Sequence, residues 1–134
     1  NNGTVTVNQS GIASLTPAAT ISSDGAVALT ANGGINTAGN ITTTADSVSF
    51  YSPTTLTGNV AINTAGADIT FGGTIDGAKD LTLNAGTAGN ITLTGAAGGT
   101  TRLGSLTISN AKNLTAGAIS AAAITQQAGS GTST

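Results

Sequence analysis

Triplets of an apolar, a small and an apolar residue recur about every 22 positions along this chain, and no other feature restricts its fold as much. Val5-Thr6-Val7, Val27-Ala28-Leu29, Val48-Ser49-Phe50, Ile69-Thr70-Phe71, Ile91-Thr92-Leu93 and Leu114-Thr115-Ala116 follow one another at steps of 22, 21, 21, 22 and 23 residues. A second column, Val60-Ala61-Ile62, Leu81-Thr82-Leu83 and Leu106-Thr107-Ile108, steps by 21 and then 25. Its surplus falls in the Gly-rich stretch GAAGGTTRLG, and Ile41 joins the column 21 residues before Ile62. A third, sparser column runs through Ile12, Ile35, Leu56 and Ile75.

Alternation with period two sends the outer residues of each triplet to one face and the middle residue to the other, which is a strand signature. No sustained apolar pattern at i, i+3, i+4 and i+7 competes with it. One coil of such strands buries almost nothing, but coils stacked at roughly 4.8 Å align their apolar residues into continuous columns. The expected fold is therefore all-β, a parallel β-helix of about six coils of 21–25 residues over 1–125. The remaining 126–134 read as a flexible Gly/Ser/Thr-rich tail or linker. Six coils make a rod segment roughly 25–30 Å long, and Phe50 and Phe71, one coil apart, are expected to stack.

The hexapeptide TAGNIT occurs at Thr37–Thr42 and again at Thr87–Thr92, fifty positions later. Fifty is not two periods: Ile41 belongs to the second column and Ile91 to the first. The word is expected to encode a corner followed by a strand, used on two different faces. INTAG, at Ile35–Gly39 and Ile62–Gly66, fits the same account, because Gly, Asn and Ala suit the tight conformations of corners.

Thr, Ala and Gly make up 69 of the 134 residues, and charged residues only 6%, too few for a typical disordered chain. Five Asp and no Glu stand against Lys79, Arg102 and Lys112, so no basic surface is available for nucleic acid. No apolar run is long enough to span a bilayer and no basic amphipathic stretch suits its surface, so membrane insertion is not expected. Absence of Cys removes disulfides and thiolate metal sites, and absence of His removes a Ser-His-Asp triad. The chain begins at Asn1, without Met or a charged-then-apolar leader, and reads as a segment of something longer.

Three constellations invite a chemical reading. Asp76, Lys79 and Asp80 in TIDGAKD are the densest charge cluster, but lack the spacing of calcium loops; a solvated turn with a local ion pair is the stronger reading. Asp24, Asp46 and Asp68 recur every 22 residues, yet lie three, two and one positions before their strands, so they do not form the positioned carboxylate pair that glycoside hydrolysis requires. Arg102, the only Arg, sits apart in a Gly-rich loop. Outward Thr residues raise the question of ice binding, but few coils present a Thr-x-Thr pair, so no regular array forms. Asp68, Asn90 and Asn113 align before the first strand, and Asn63 and Asn84 after the second, where side-chain ladders along the axis are expected. No catalytic, cofactor-binding or metal-binding residue is assigned, and no cofactor is expected.

The Thr/Gly/Asn/Ala strands, with words such as AGNITLTG, NVAINTAG and GSLTISNAKNLTAG, resemble the central repeats of bacterial filamentous haemagglutinin-like exoproteins along essentially the whole chain. That resemblance implies a right-handed parallel β-helix, secretion (often by the two-partner route) and a place in a long adhesive fibre at the bacterial surface. VNQSGI at Val7–Ile12 carries Gln9 where the family's Asn-Pro-Asn-Gly secretion motif has proline, so the secretion domain is not placed here. The expected function is a non-enzymatic stalk or fibre module of a large extracellular adhesin. Alternatives are a subunit stacking end to end into a filament and, more weakly, a carbohydrate-active or ice-binding β-helix. Expected partners are neighbouring β-helix repeats, copies of the chain itself, or host or cell-surface glycans and proteins.

Overall fold

A computed structural model describes residues 3–16 and 19–134. Among them there is no helix, and sixteen short strands, numbered in chain order, form three parallel sheets. The first sheet stacks β1 (Val5–Gln9), β4 (Val27–Ala31), β7 (Val48–Phe50), β10 (Ile69–Phe71), β13 (Ile91–Leu93) and β15 (Leu114–Ala116). The second stacks β2 (Ala13–Leu15), β5 (Ile35–Thr37), β8 (Thr54–Leu56) and β11 (Ile75–Asp76). Bridges from Ile75 to Ala97 and from Ala97 to Ile119 prolong it. The third stacks β3 (Ile21–Ser23), β6 (Ile41–Thr43), β9 (Val60–Asn63), β12 (Leu81–Asn84), β14 (Leu103–Asn110) and β16 (Ala121–Gln126). Each coil visits the sheets in the same order, which makes a three-sided solenoid of about six turns.

The first column is one continuous register: Val5 pairs with Val27, Val27 with Val48, Val48 with Ile69, Ile69 with Ile91 and Ile91 with Leu114. The second is equally regular, with Val60 opposite Leu81 and Leu81 opposite Leu106, and Ile41 opposite Ile62 as expected. Outer triplet residues point inward, so Val27, Leu29, Val48, Phe50, Ile69 and Phe71 are buried while the middle residues are not. Phe50 and Phe71 stack with ring centroids 4.5 Å apart and planes 11° from parallel. Such a pair contributes about 0.5–1.5 kcal/mol beyond its area burial.

The third column differs from expectation. Ala13, not Ile12, pairs with Ile35, while Ile12 is 61% exposed outside the strand. Leu56 pairs with Thr37 and through it aligns with Leu15, two residues along from the row Ala13, Ile35, Thr54 and Ile75. Two of the inward positions on this sheet are Thr37 and Thr54, both buried. The Thr54 hydroxyl donates to the Ser52 carbonyl at 3.1 Å, whereas Thr37 Oγ1 has no partner.

The surplus in GAAGGTTRLG is taken up as a loop beside the second sheet, and a register shift between Leu83 and Asn84 leaves Asn84 opposite Asn110. The stretch expected as a tail keeps to the path of a further rung. Gln127 N donates to Ile108 O, Ser130 N to Ala111 O, and Leu114 N to Thr132 O. Ser133 bridges Leu114, so the first column ends on a hydroxyl, and Ser133 Oγ donates to Gln126 Oε1 at 2.7 Å.

Both TAGNIT copies build corners. The first leaves β5 and enters β6, joining the second sheet to the third; the second leaves β12 and enters β13, joining the third to the first. Gly39 and Gly89 are buried at these corners, where a Cβ would collide with the carbonyl oxygen of Ala19 or of Ala67 respectively. The INTAG copies diverge: Ala65 and Gly66 have φ of 53° and 127°, while the corresponding Ala38 and Gly39 keep negative φ.

Candidate functional site

Polar side chains at the corners, not an active-site pocket, are the organised chemistry of this molecule. Just before the first sheet, Asp68 Oδ1 accepts the Asn90 backbone N–H at 2.7 Å and its side-chain N–H at 3.1 Å. Asn113 Nδ2 donates to Asn90 Oδ1 at 2.8 Å, and Thr132 N donates to Asn113 Oδ1 at 3.0 Å. The expected ladder through Asp68, Asn90 and Asn113 is thus present and gains a fourth rung.

Asn63 and Asn84 behave otherwise. They face one another in register, but each Oδ1 accepts the backbone N–H two residues ahead, from Ala65 and from Gly86, both at 3.1 Å. Each side chain closes its own turn and makes no ladder, because the local N–H is nearer than the neighbouring amide.

A second ladder, not anticipated from sequence, precedes the third sheet. Asn40 Oδ1 accepts from Ala61 N at 2.8 Å and Asn59 Oδ1 from Asp80 N at 3.1 Å. Asp80 Oδ1 accepts from both Ser105 N and Ser105 Oγ at 2.8 Å. The available signal was positional: Asn40, Asn59, Asp80 and Ser105 each stand one residue before an apolar residue of the second column.

The acidic residues follow the same logic. Asp76 Oδ1 accepts from Thr100 N at 2.7 Å and Thr101 N at 2.9 Å, tethering the surplus loop. Asp76 and Asp80 of TIDGAKD therefore serve different parts of the next coil, the surplus loop and strand β14 respectively, and no group of three metal-ligating side chains occurs among the described residues. Asp24 accepts a hydrogen bond from Thr44 Oγ1, and the Asp46 carbonyl accepts one from Thr43 Oγ1. Asp24, Asp46 and Asp68 thus meet different partners at different places in the turn. The outward row of the first sheet reads Thr6, Ala28, Ser49, Thr70, Thr92 and Thr115 in register, interrupted in the second coil by Ala28.

Where the second ladder meets the third sheet there is a shallow groove of about 300 Å³, lined by Asn40, Asn59, Val60, Ala61, Asp80 and Thr82. It exists because the paired part of β6 begins at Ile41 opposite Ile62, whereas β9 begins two residues earlier, at Val60. A hollow of about 330 Å³ lies at the first coil beside Val7, Ile12 and Leu15. Comparison of the chain with protein-family models, curated proteins and solved structures finds no match, so geometry alone carries the functional reading.

Proposed function

We propose that this chain is a stiff, non-enzymatic stalk module of a large secreted or surface-anchored bacterial adhesin. The observation that carries the reading is the unbroken parallel register from Val5 to Leu114 on the first sheet, reinforced at two corners by side-chain ladders. A stack tied by backbone and side-chain bonds in every coil resists bending, which is what a spacer requires. Asp24, Asp68, Asp76 and Asp80 all accept hydrogen bonds from neighbouring coils, which supports a structural over a catalytic role for the carboxylates.

A second reading, a subunit that stacks end to end into an extracellular filament, draws on the half-buried apolar residues of the end coils. These are Val5, Val7, Leu15 and Ile21 at one end and Leu114, Ile119 and Ala121 at the other. Against it, two of the last inward positions at the second end are Gln126 and Ser133, bonded to each other, although the inward Ile124 beside them is 56% exposed. Electron microscopy with light scattering over a concentration series separates the two. Monodisperse short rods at every concentration are expected; ordered filaments with an axial repeat of one chain length would replace the stalk reading by the filament one.

A further inference from the structure

The structure assigns a ligand class to the groove on the third sheet: we infer that it is a subsite for one neutral sugar ring of a glycan. This rests on the adhesin-module reading and specifies what such a module would hold. The groove combines a cleft with three polar side chains already held by hydrogen bonds. Asn40 and Asn59 each commit their amide oxygen to a backbone N–H of the following coil, at 2.8 and 3.1 Å. Their amide nitrogens have no partner among the described residues, and both side chains are exposed. Asp80 commits Oδ1 to Ser105, leaving Oδ2 as an acceptor, and Thr82 offers a hydroxyl from the outward row of β12.

Four residues with hydrogen-bonding groups therefore line the groove and supply two amide donors, one carboxylate acceptor and one hydroxyl able to do either. The exposed Ala61 adds a small apolar surface to the lining without a side chain that would fill the space. Vicinal hydroxyls of a pyranose, each both donor and acceptor, match this set. A neutral ring also suits a site lined by a single charged side chain, Asp80. The volume is at the lower end for ligand pockets, so one ring fits and a larger molecule would lie mostly outside. Because Asn40, Asn59 and Asp80 are each held by a ladder bond, little rotamer freedom is lost on binding. Affinity is nonetheless limited by the shallow, open geometry, and a millimolar dissociation constant is expected.

The test is an NMR titration of the 134-residue chain with methyl glycosides of glucose, galactose and mannose, carried into the tens of millimolar, with glycerol as the non-cyclic control. Saturable shifts of the Asn40 and Asn59 side-chain amides and of the Ala61 backbone amide are expected for at least one glycoside and not for glycerol. Asp80→Asn keeps the Oδ1 acceptor for Ser105 but turns the other acceptor into a donor. It should weaken binding about tenfold while leaving the rest of the spectrum in place. Asp68→Asn, on the opposite ladder, should leave binding unchanged. Absence of saturable shifts with all three glycosides, equal response to glycerol, or an Asp80→Asn variant that binds normally would overturn the assignment. Such a failure in a chain that remains a monodisperse rod removes only the sugar subsite. Loss of the rod in microscopy removes the stalk reading, whatever the titration gives.

Discussion

The two copies of TAGNIT are identical in sequence and different in circumstance. Both place a buried glycine against the previous coil's carbonyl and an asparagine immediately before a strand. In the first copy Asn40 is exposed, makes one ladder bond and borders a groove; in the second Asn90 is part of a chain of side-chain bonds through Asp68, Asn90 and Asn113. Thr37, the first residue of the first copy, is buried inside the second sheet, whereas its counterpart Thr87 is exposed. The word specifies a corner. What the corner then does depends on the coils above and below it.

The shared glycine offers the harshest test of that comparison. At Gly89 a Cβ would strike the carbonyls of both Ala67 and Ala85, in the middle of the stack; at Gly39 the principal obstacle is Ala19, near the first coil. Gly89→Ala should cost about 3–4 kcal/mol in urea denaturation and Gly39→Ala about 2 kcal/mol, since the end coil yields more readily. Equal costs would show that position in the stack does not matter.

The asparagines should separate next. Asn90→Ala removes two side-chain bonds and leaves Asn113 without its acceptor, so a loss of about 1.5–2 kcal/mol is expected. Asn40→Ala removes one exposed bond and should cost about 0.5–1 kcal/mol. Amide exchange would sharpen the contrast by showing increased opening around Ile91 and Leu114 in the first variant and around Ala61 in the second.

Replacing the threonines reverses the sign. Thr37→Val keeps the shape, removes a buried hydroxyl that has no partner, and should stabilise the chain by about 1 kcal/mol. Thr87→Val, at an exposed position, should be neutral within about 0.5 kcal/mol. The smallest effect concerns the related word INTAG. Ala65 holds a left-handed φ of 53°, so Ala65→Gly relieves strain but loosens the unfolded chain, for a net gain of about 0.5 kcal/mol by thermal denaturation.

Legibility in the sequence followed the chemistry of the inward positions. On the first sheet nearly every inward residue is Val, Ile, Leu or Phe, and the register could be counted directly from the triplets. On the second sheet Ala13, Thr37, Thr54 and Ala97 occupy inward positions, so an apolar count drifted to the exposed Ile12 and combined Leu56 with the wrong row. The ladder before the first sheet was legible because its first three members, Asp68, Asn90 and Asn113, are all Asp or Asn; the Thr132 rung, joined through its backbone, was not. Its counterpart before the third sheet mixes Asn59, Asp80 and Ser105, and is recognised by position only. The groove was beyond reach, because it arises from a difference in where β6 and β9 begin.

Among the described residues, each bond between coils that an Asn or Asp side chain accepts runs the same way: the oxygen belongs to the earlier coil and the donor to the later one. A finished turn thus presents, to chain not yet wound, an apolar floor and a row of waiting acceptors, while its own side-chain ladder asks nothing of sequence still to come. A turn added at the carboxyl end therefore meets side-chain acceptors already in place, whereas one added at the amino end has to bring its own.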